Sequence, residues 1–170
     1  MLEEIIDYFE KNPHASNEQI IDLLNKLSEA QINEKKKGLL FEQITCLYLN
    51  KIEGFIAERK KGHDVWIKNN SQEGPLKGIF PIILVECKYK MDILQINEIS
   101  PFAEKIRNVR RFFPDVCGIF FTKSPLANSE KVSNLLYEHN IIVIILEKFY
   151  GLLKNNTDFK KFLFEKMKFW

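Results

Sequence analysis

Pro81-Ile82-Ile83-Leu84-Val85-Glu86-Cys87-Lys88 sets four aliphatic residues in a row ahead of a glutamate and a lysine two positions apart. A strand wetted on one side alternates apolar and polar residues, whereas an unbroken apolar run is buried on both. The run predicts a central strand between two layers, and with it an α/β fold. Its flanks supply the layers. Upstream, Gly54 to Arg59 and Asp64 to Lys68 have the composition of two strands hairpinned through Lys61-Gly62, and Asn69 to Gly78 that of a loop. Earlier still, Leu40, Phe41, Ile44, Leu47 and Tyr48 recur at helical spacing and predict a helix from about Glu34 to Lys51.

The first thirty residues predict two more helices. Leu2, Ile5, Ile6 and Phe9 share a face until Asn12-Pro13, and Ser16 suits the N-cap of a helix to about Ala30 with Ile20, Ile21, Leu24 and Leu27 on one side. They are too short to fold alone. A remnant helix-turn-helix would bind DNA, but their acidity favours a docking or structural role. Downstream, Asn97 to Phe113 predicts a helix closed by Pro114, Val116 to Thr122 a buried strand, Ser129 to His139 a helix, and Ile141 to Leu146 a last strand. Phe159, Phe162, Leu163, Met167 and Trp170 make the tail from Asp158 an amphipathic helix.

The expected order is α-α-α-β-β-β-α-β-α-β-α, a mixed central sheet of about five strands flanked by helices. The organisation expected is a helical N-terminal appendage over 1–33, a core over 34–150 and a C-terminal amphipathic helix over 151–170 packed on the core. A chain of 170 residues suffices for one such domain without disulfides.

Charge is unevenly spread. Residues 1–34 hold 2 basic and 8 acidic residues, which leaves 23 of the 25 basic and 15 of the 23 acidic residues in 35–170, about +8. That suits a polyanionic partner. Cys46, Cys87 and Cys117 are widely spaced with no CxxC pair, which argues against a zinc site or a disulfide framework. The opening Met1-Leu2-Glu3-Glu4 predicts no signal peptide, and no apolar run nears the ~20 residues of a membrane span. The protein is expected to be cytoplasmic, in a prokaryotic cell, and free of membrane contacts.

The pattern [DE]-x-K occurs at Glu34/Lys36, Glu58/Lys60, Glu86/Lys88 and Asp158/Lys160. Four matches make the pattern itself nearly worthless, so context must choose. The first and last fall at helix starts, where positions two apart face different ways. Glu58/Lys60 lies on an outer hairpin strand. Only Glu86/Lys88 ends a buried strand, where alternate residues share a face and a charge is costly unless paired, liganded or set in a cleft. If Asp64, at the start of the neighbouring strand, comes level, two carboxylates and an ammonium converge. Such a set holds Mg²⁺ through oxygen.

Lys37-Gly38-Leu39-Leu40-Phe41-Glu42, then Gly62-His63-Asp64, then Val85-Glu86-Cys87-Lys88 resemble the PD-(D/E)xK nuclease superfamily, in particular the Mrr-like restriction endonucleases and archaeal Holliday-junction resolvases. Gly118-Ile119-Phe120-Phe121-Thr122 resembles the threonine-ended strand of Mrr-like domains. The likeness covers about residues 35–146. It implies a restriction-endonuclease-like αβββαβ core and Mg²⁺-dependent hydrolysis of DNA, with Mn²⁺ as substitute. It also implies Glu42 as the helix acid, Asp64 and Glu86 as metal ligands, Cys87 offering its carbonyl, and Lys88 as catalytic lysine. His63 stands where the superfamily's name has proline. About 20 residues separate Asp64 from Glu86, longer than a tight hairpin, and are expected to shape substrate access.

Plainer roles exist for each residue. Glu86 and Lys88 suit a structural ion pair, Glu42 a solvated helix face, Asp64 and His63 a turn. Lys90, Arg59, Lys60, Lys61 and Lys36 are the candidate phosphate contacts, while Arg107, Arg110 and Arg111 suit the wet side of a crossover helix. The alternative to a nuclease is an inactive nucleic-acid-binding or scaffold module of the same fold, or one part of a larger restriction or helicase assembly. DNA is the expected partner, with a homodimer or a specificity subunit beside it. No recognition helix or aromatic stacking platform is identifiable in the sequence.

Overall fold

The structure, a computed structural model, describes residues 1–61 and 63–167, with the backbone alone for His63 and Asp64. Among the described residues, seven helices flank one five-stranded sheet. The helices are α1 Leu2–Lys11, α2 Asn17–Glu29, α3 Glu34–Leu49, α4 Ile96–Arg110, α5 Glu130–Glu138, α6 Leu146–Lys154 and α7 Phe159–Met167. The strands are β1 Phe55–Lys60, β2 His63–Asn69, β3 Ile82–Lys88, β4 Cys117–Thr122 and β5 Ile141–Ile145. They lie side by side in chain order, β1, β2 and β3 antiparallel, then β4 and β5 parallel to β3. The αβββαβ order runs from α3 through β4.

β3 is the middle strand, as its apolar run predicts. Ile83, Val85 and Cys87 enter a core shared with α1, α2, α3, α6 and α7, while Ile82 and Leu84 enter a second core under α4 and α5. Gly118 on β4 lets α4 sit close, because a Cβ there would stand 2.3 Å from Ile106 Cδ1. Gly54, at φ +81, turns the chain into β1 where a Cβ would strike the Ser71 backbone at 2.4 Å. At the sheet's outer edge the Asn50 amide donates to the Ala57 carbonyl (3.0 Å) and accepts from its N–H (2.8 Å), capping edge groups that would otherwise face water.

The N-terminal helices are part of the core. Ile6, Ile20, Leu24 and Leu27 are fully buried in the same cluster as Phe41 and Ile44 of α3. Ser16 caps α2 in a reciprocal box with Gln19. Their apolar faces are thus spent on this core.

The C-terminal boundary differs from expectation. The last strand stops at Ile145, and Leu146 opens α6, so two helices follow the sheet rather than one. The expected end of the tail helix, Lys168 to Trp170, lies outside the described residues. The loop between β2 and β3 is fastened at its own end of the sheet. Asn69 Nδ2 donates to Leu76 O (3.0 Å) and Ile79 O (2.8 Å), and Lys160 of α7 donates to Glu73 O at 3.3 Å. It is pinned at the start of β3, and Glu86 and Lys88 lie toward the other end of that strand, roughly 13 and 20 Å away at ~3.3 Å per residue.

Candidate functional site

The carboxyl end of β3 carries the charges that its apolar run cannot absorb. Glu86 points to the α4 side and is 6% exposed. Lys105, from the middle of α4, holds its Oε2 at 3.2 Å, and Lys88 stands 3.6 Å from its Oε1. Glu86 and Lys88 share a face, as strand alternation requires. The burial is lopsided, since the two lysine side chains are 37% and 31% exposed and Glu86 is nearly dry. A buried carboxylate without a cation costs several kcal/mol, so the two ammoniums are what allow Glu86 its place.

A cavity of about 410 Å³ opens between α3 and the end of β3, lined by Glu34, Lys35, Gly38, Leu39, Glu42, Cys87, Lys88, Tyr89 and Lys90. Glu42 and Lys88 thus meet across one space, with Cys87 on its wall. Glu42, its side chain 12% exposed, accepts from Arg59 Nε of β1 at 2.5 Å. Burial works against the Arg59 charge, but the Glu42 carboxylate outweighs it and holds the guanidinium above its ordinary value.

The chain beyond β3 is fastened so that Lys88 and Lys90 have fixed roots. Ser124 Oγ donates to Lys90 O (2.6 Å) and Met91 O (3.0 Å), and Lys123 N donates to Lys88 O (3.0 Å). Glu98, in the first turn of α4, accepts from Gln95 N and pairs with Lys90, whose ammonium is held above its ordinary value by that bond. Tyr89 is buried between Phe41 and two lysines, Lys37 and Lys123, whose ammoniums stand 5.8 and 5.0 Å from its ring centre.

Asp64 lies outside the residues whose side chains are described. Its backbone belongs to β2. The ladder pairs Val65 with Val85, so Asp64 and Glu86 are the next positions along their two strands. Among the described residues no three His, Cys, Asp or Glu side chains gather as a metal site, and Asp64 is not in that set.

The other lysines and arginines are placed as follows. Lys36 pairs with Glu3 of α1 at 2.5 Å, away from the cavity wall. Lys60 lies over the Trp66 ring at 4.8 Å, and Lys61 is exposed at the hairpin end. Arg107 pairs with Glu104 on the exposed side of α4, and Arg110 donates to the His139 carbonyl at 3.1 Å. All three cysteines are free thiols. Burial pushes Cys46 up to about 11, so it stays protonated and is a poor metal ligand.

Lys105 is the site residue that sequence reasoning missed. A signal existed, because Lys105 follows Phe102 by three and precedes Val109 by four, which sets it on the buried stripe of α4. No helix of the described residues is long and apolar enough to cross a membrane. Compared with known proteins, the chain matches no family model, no curated protein and no solved structure.

Proposed function

We propose that the chain is a magnesium-dependent endodeoxyribonuclease that hydrolyses phosphodiester bonds, in restriction, defence or DNA repair and recombination. One observation carries it. Glu86, nearly removed from water at the end of an apolar strand, lies between two ammoniums, and one of these lines the cavity that Glu42 shares. A buried carboxylate with charged partners beside a cavity is the setting in which functional sites concentrate.

The donors suit magnesium, a hard cation that prefers carboxylate oxygen. Glu86, Asp64 at the adjoining ladder position and the Cys87 carbonyl would hold it. Bound there, the ion would make a water nucleophilic near neutral pH and offset charge on the scissile phosphate. The chain's own groups do the rest. Lys88 keeps N–H donors beyond its bond to Glu86 and would meet a phosphate oxygen as charge builds on it. Lys105 fixes the second oxygen of Glu86 and so the plane of the carboxylate. Glu42, steadied by Arg59, faces Lys88 across the cavity, and Lys90 and Lys35 at its wall would meet the nucleic-acid backbone.

The test is cleavage of supercoiled plasmid in Mg²⁺ or Mn²⁺ by parent, Asp64→Asn and Lys88→Ala proteins. Both variants should stay folded by circular dichroism and lose cleavage. Full activity of Lys88→Ala would sink the assignment.

A specific observation favours a second role. Glu42 and Glu86 already have basic partners, and a closed set of ion pairs is what a non-cutting scaffold of a larger assembly would keep. Calorimetric titration with Mn²⁺ separates the two. Saturable binding that disappears in Glu86→Gln supports the nuclease, and no binding at millimolar concentration supports the scaffold.

A further inference from the structure

The α4 side of the sheet is roofed unevenly. Phe102, Ala103, Ile106 and Val109 of α4 pack on Ile82, Leu84 and Phe120 of β3 and β4. The β1–β2 hairpin reaches beyond that roof. On this side Ile56 stands opposite Lys68 and Glu58 opposite Trp66, and Ile56, Glu58 and Lys68 are exposed, while the alternating Phe55, Ala57, Val65 and Ile67 are buried on the α3 side.

Trp66 sits at the border of roof and open sheet. Its ring meets Phe113, just past α4, edge to face at 6.4 Å and 83°, and the Lys60 ammonium lies 4.8 Å from its centre. Phe112, beside Phe113, is 80% exposed. Trp66 pairs with Leu84, so Glu86 on the same side is two residues further along β3, about 7 Å at the rise of a strand. Of the three rings Trp66 is therefore the one beside the candidate site, and Phe113 lies on its far side, next to the start of β4.

Lys60, Lys61 and Lys68 of the hairpin and Arg111, next to Phe112 in the chain, are all exposed, against Glu58 and Asp115. That excess of cations decides among occupants. A second copy docking here through a two-fold axis would bring the same cations against themselves. A polyanion would relieve them. A duplex keeps its base faces stacked inward, whereas a strand with unpaired bases offers both faces for aromatic rings and phosphates for ammoniums.

We infer that this open hairpin face, with Trp66, Phe112 and Phe113, binds single-stranded nucleic acid and feeds a strand with unpaired bases toward Glu86 and Lys88. The inference rests on the nuclease function proposed above only for what happens to the strand once bound.

Fluorescence anisotropy tests it, with a labelled oligothymidylate of about twenty nucleotides, long enough for an extended site of this kind, and a duplex of equal length. EDTA keeps either from being cut. The parent should bind the single strand more tightly than the duplex. Phe112→Ala, at a site too exposed to threaten folding, should weaken the single strand about tenfold, the effect expected of one lost stacking contact. Trp66→Leu should weaken it likewise, and Lys60→Glu with Lys68→Glu should weaken it and flatten its salt dependence.

Equal binding of the two nucleic acids, or single-strand binding untouched by Phe112→Ala, would overturn the inference. So would a parent that sediments as a dimer and a Phe112→Ala variant that sediments as a monomer. If these losses appear but the parent cuts nothing in Mg²⁺, the platform stands and the nuclease falls. If duplex is cut at the parent rate by Phe112→Ala and single strands are not bound, the reverse holds.

Discussion

Two lysine–carboxylate clusters lie near opposite ends of β3, and they are built the other way round. Near its start, Lys160 is the buried partner, its side chain 11% exposed, and it donates to Glu53, to Glu73 O at 3.3 Å and to Ser71 Oγ at 3.5 Å. Glu53 is half in water. At the far end Glu86 is the buried partner and its two lysines are partly exposed. A buried ammonium with three acceptors has spent its donors, which makes a clamp for the loop. A buried carboxylate under two partly exposed ammoniums leaves donors turned outward, which is what a phosphate site requires. The identity of the dry partner separates structure from candidate chemistry.

The contrast breaks most sharply at Lys88. Its replacement by alanine should slow plasmid cleavage about 100-fold or more, the scale of losing one donor to a developing charge, while Lys105 keeps Glu86 paired and the protein folded. If instead the melting temperature drops and cleavage persists, the two ends are both clamps. Lys160→Met should do the opposite. Unfolding in urea should show a loss of about 1–3 kcal/mol, because Ser71 and Glu73 O lose a buried donor, and cleavage per folded molecule should be unchanged.

Lys105→Met sharpens the far end. We expect cleavage to fall about tenfold, with binding of Mn²⁺ altered in calorimetry, since Glu86 keeps one cation but loses its fixed plane. A variant indistinguishable from the parent would make Lys105 a bystander.

The smallest effect concerns pH. The bond from Lys160, with a lesser one from Gln72 N, holds the Glu53 carboxyl below its ordinary value. A depressed carboxyl contributes stability above the ordinary carboxylate range and loses it as pH falls through and below that range. Glu53→Gln should therefore melt slightly earlier than the parent at neutral pH and together with it in strong acid. An equal gap at both would exclude Glu53 as the titrating group.

Local chemistry made much of this legible. Four aliphatic residues before Glu86 announced a central strand, and Ser16 as N-cap announced α2. The α6 helix was hidden because Ile141 to Leu146 passes into Glu147-Lys148-Phe149 without glycine, proline or a side-chain cap to mark the change. Lys105 was hidden differently. It meets Glu86 only because the crossover lays α4 over β3, a contact 19 residues apart in sequence. Trp66 gave no signal of its own, standing between the apolar Val65 and Ile67. Only the extent of the α4 roof shows that its side of the hairpin is partly open.

The shared core of α1 and α2 has a consequence for how such a unit is cut or recombined. Ile6, Ile20, Leu23, Leu24 and Leu27 are all 0–1% exposed. At roughly 1.5–3 kcal/mol each, their burial is worth about 8–15 kcal/mol, as much as the entire net stability of an ordinary domain. A gene fragment begun at Glu34 would encode every candidate site residue and a protein that could not stay folded. The αβββαβ order from α3 to β4 is a topological unit in this chain, but the heritable and exchangeable unit must include the thirty residues before it.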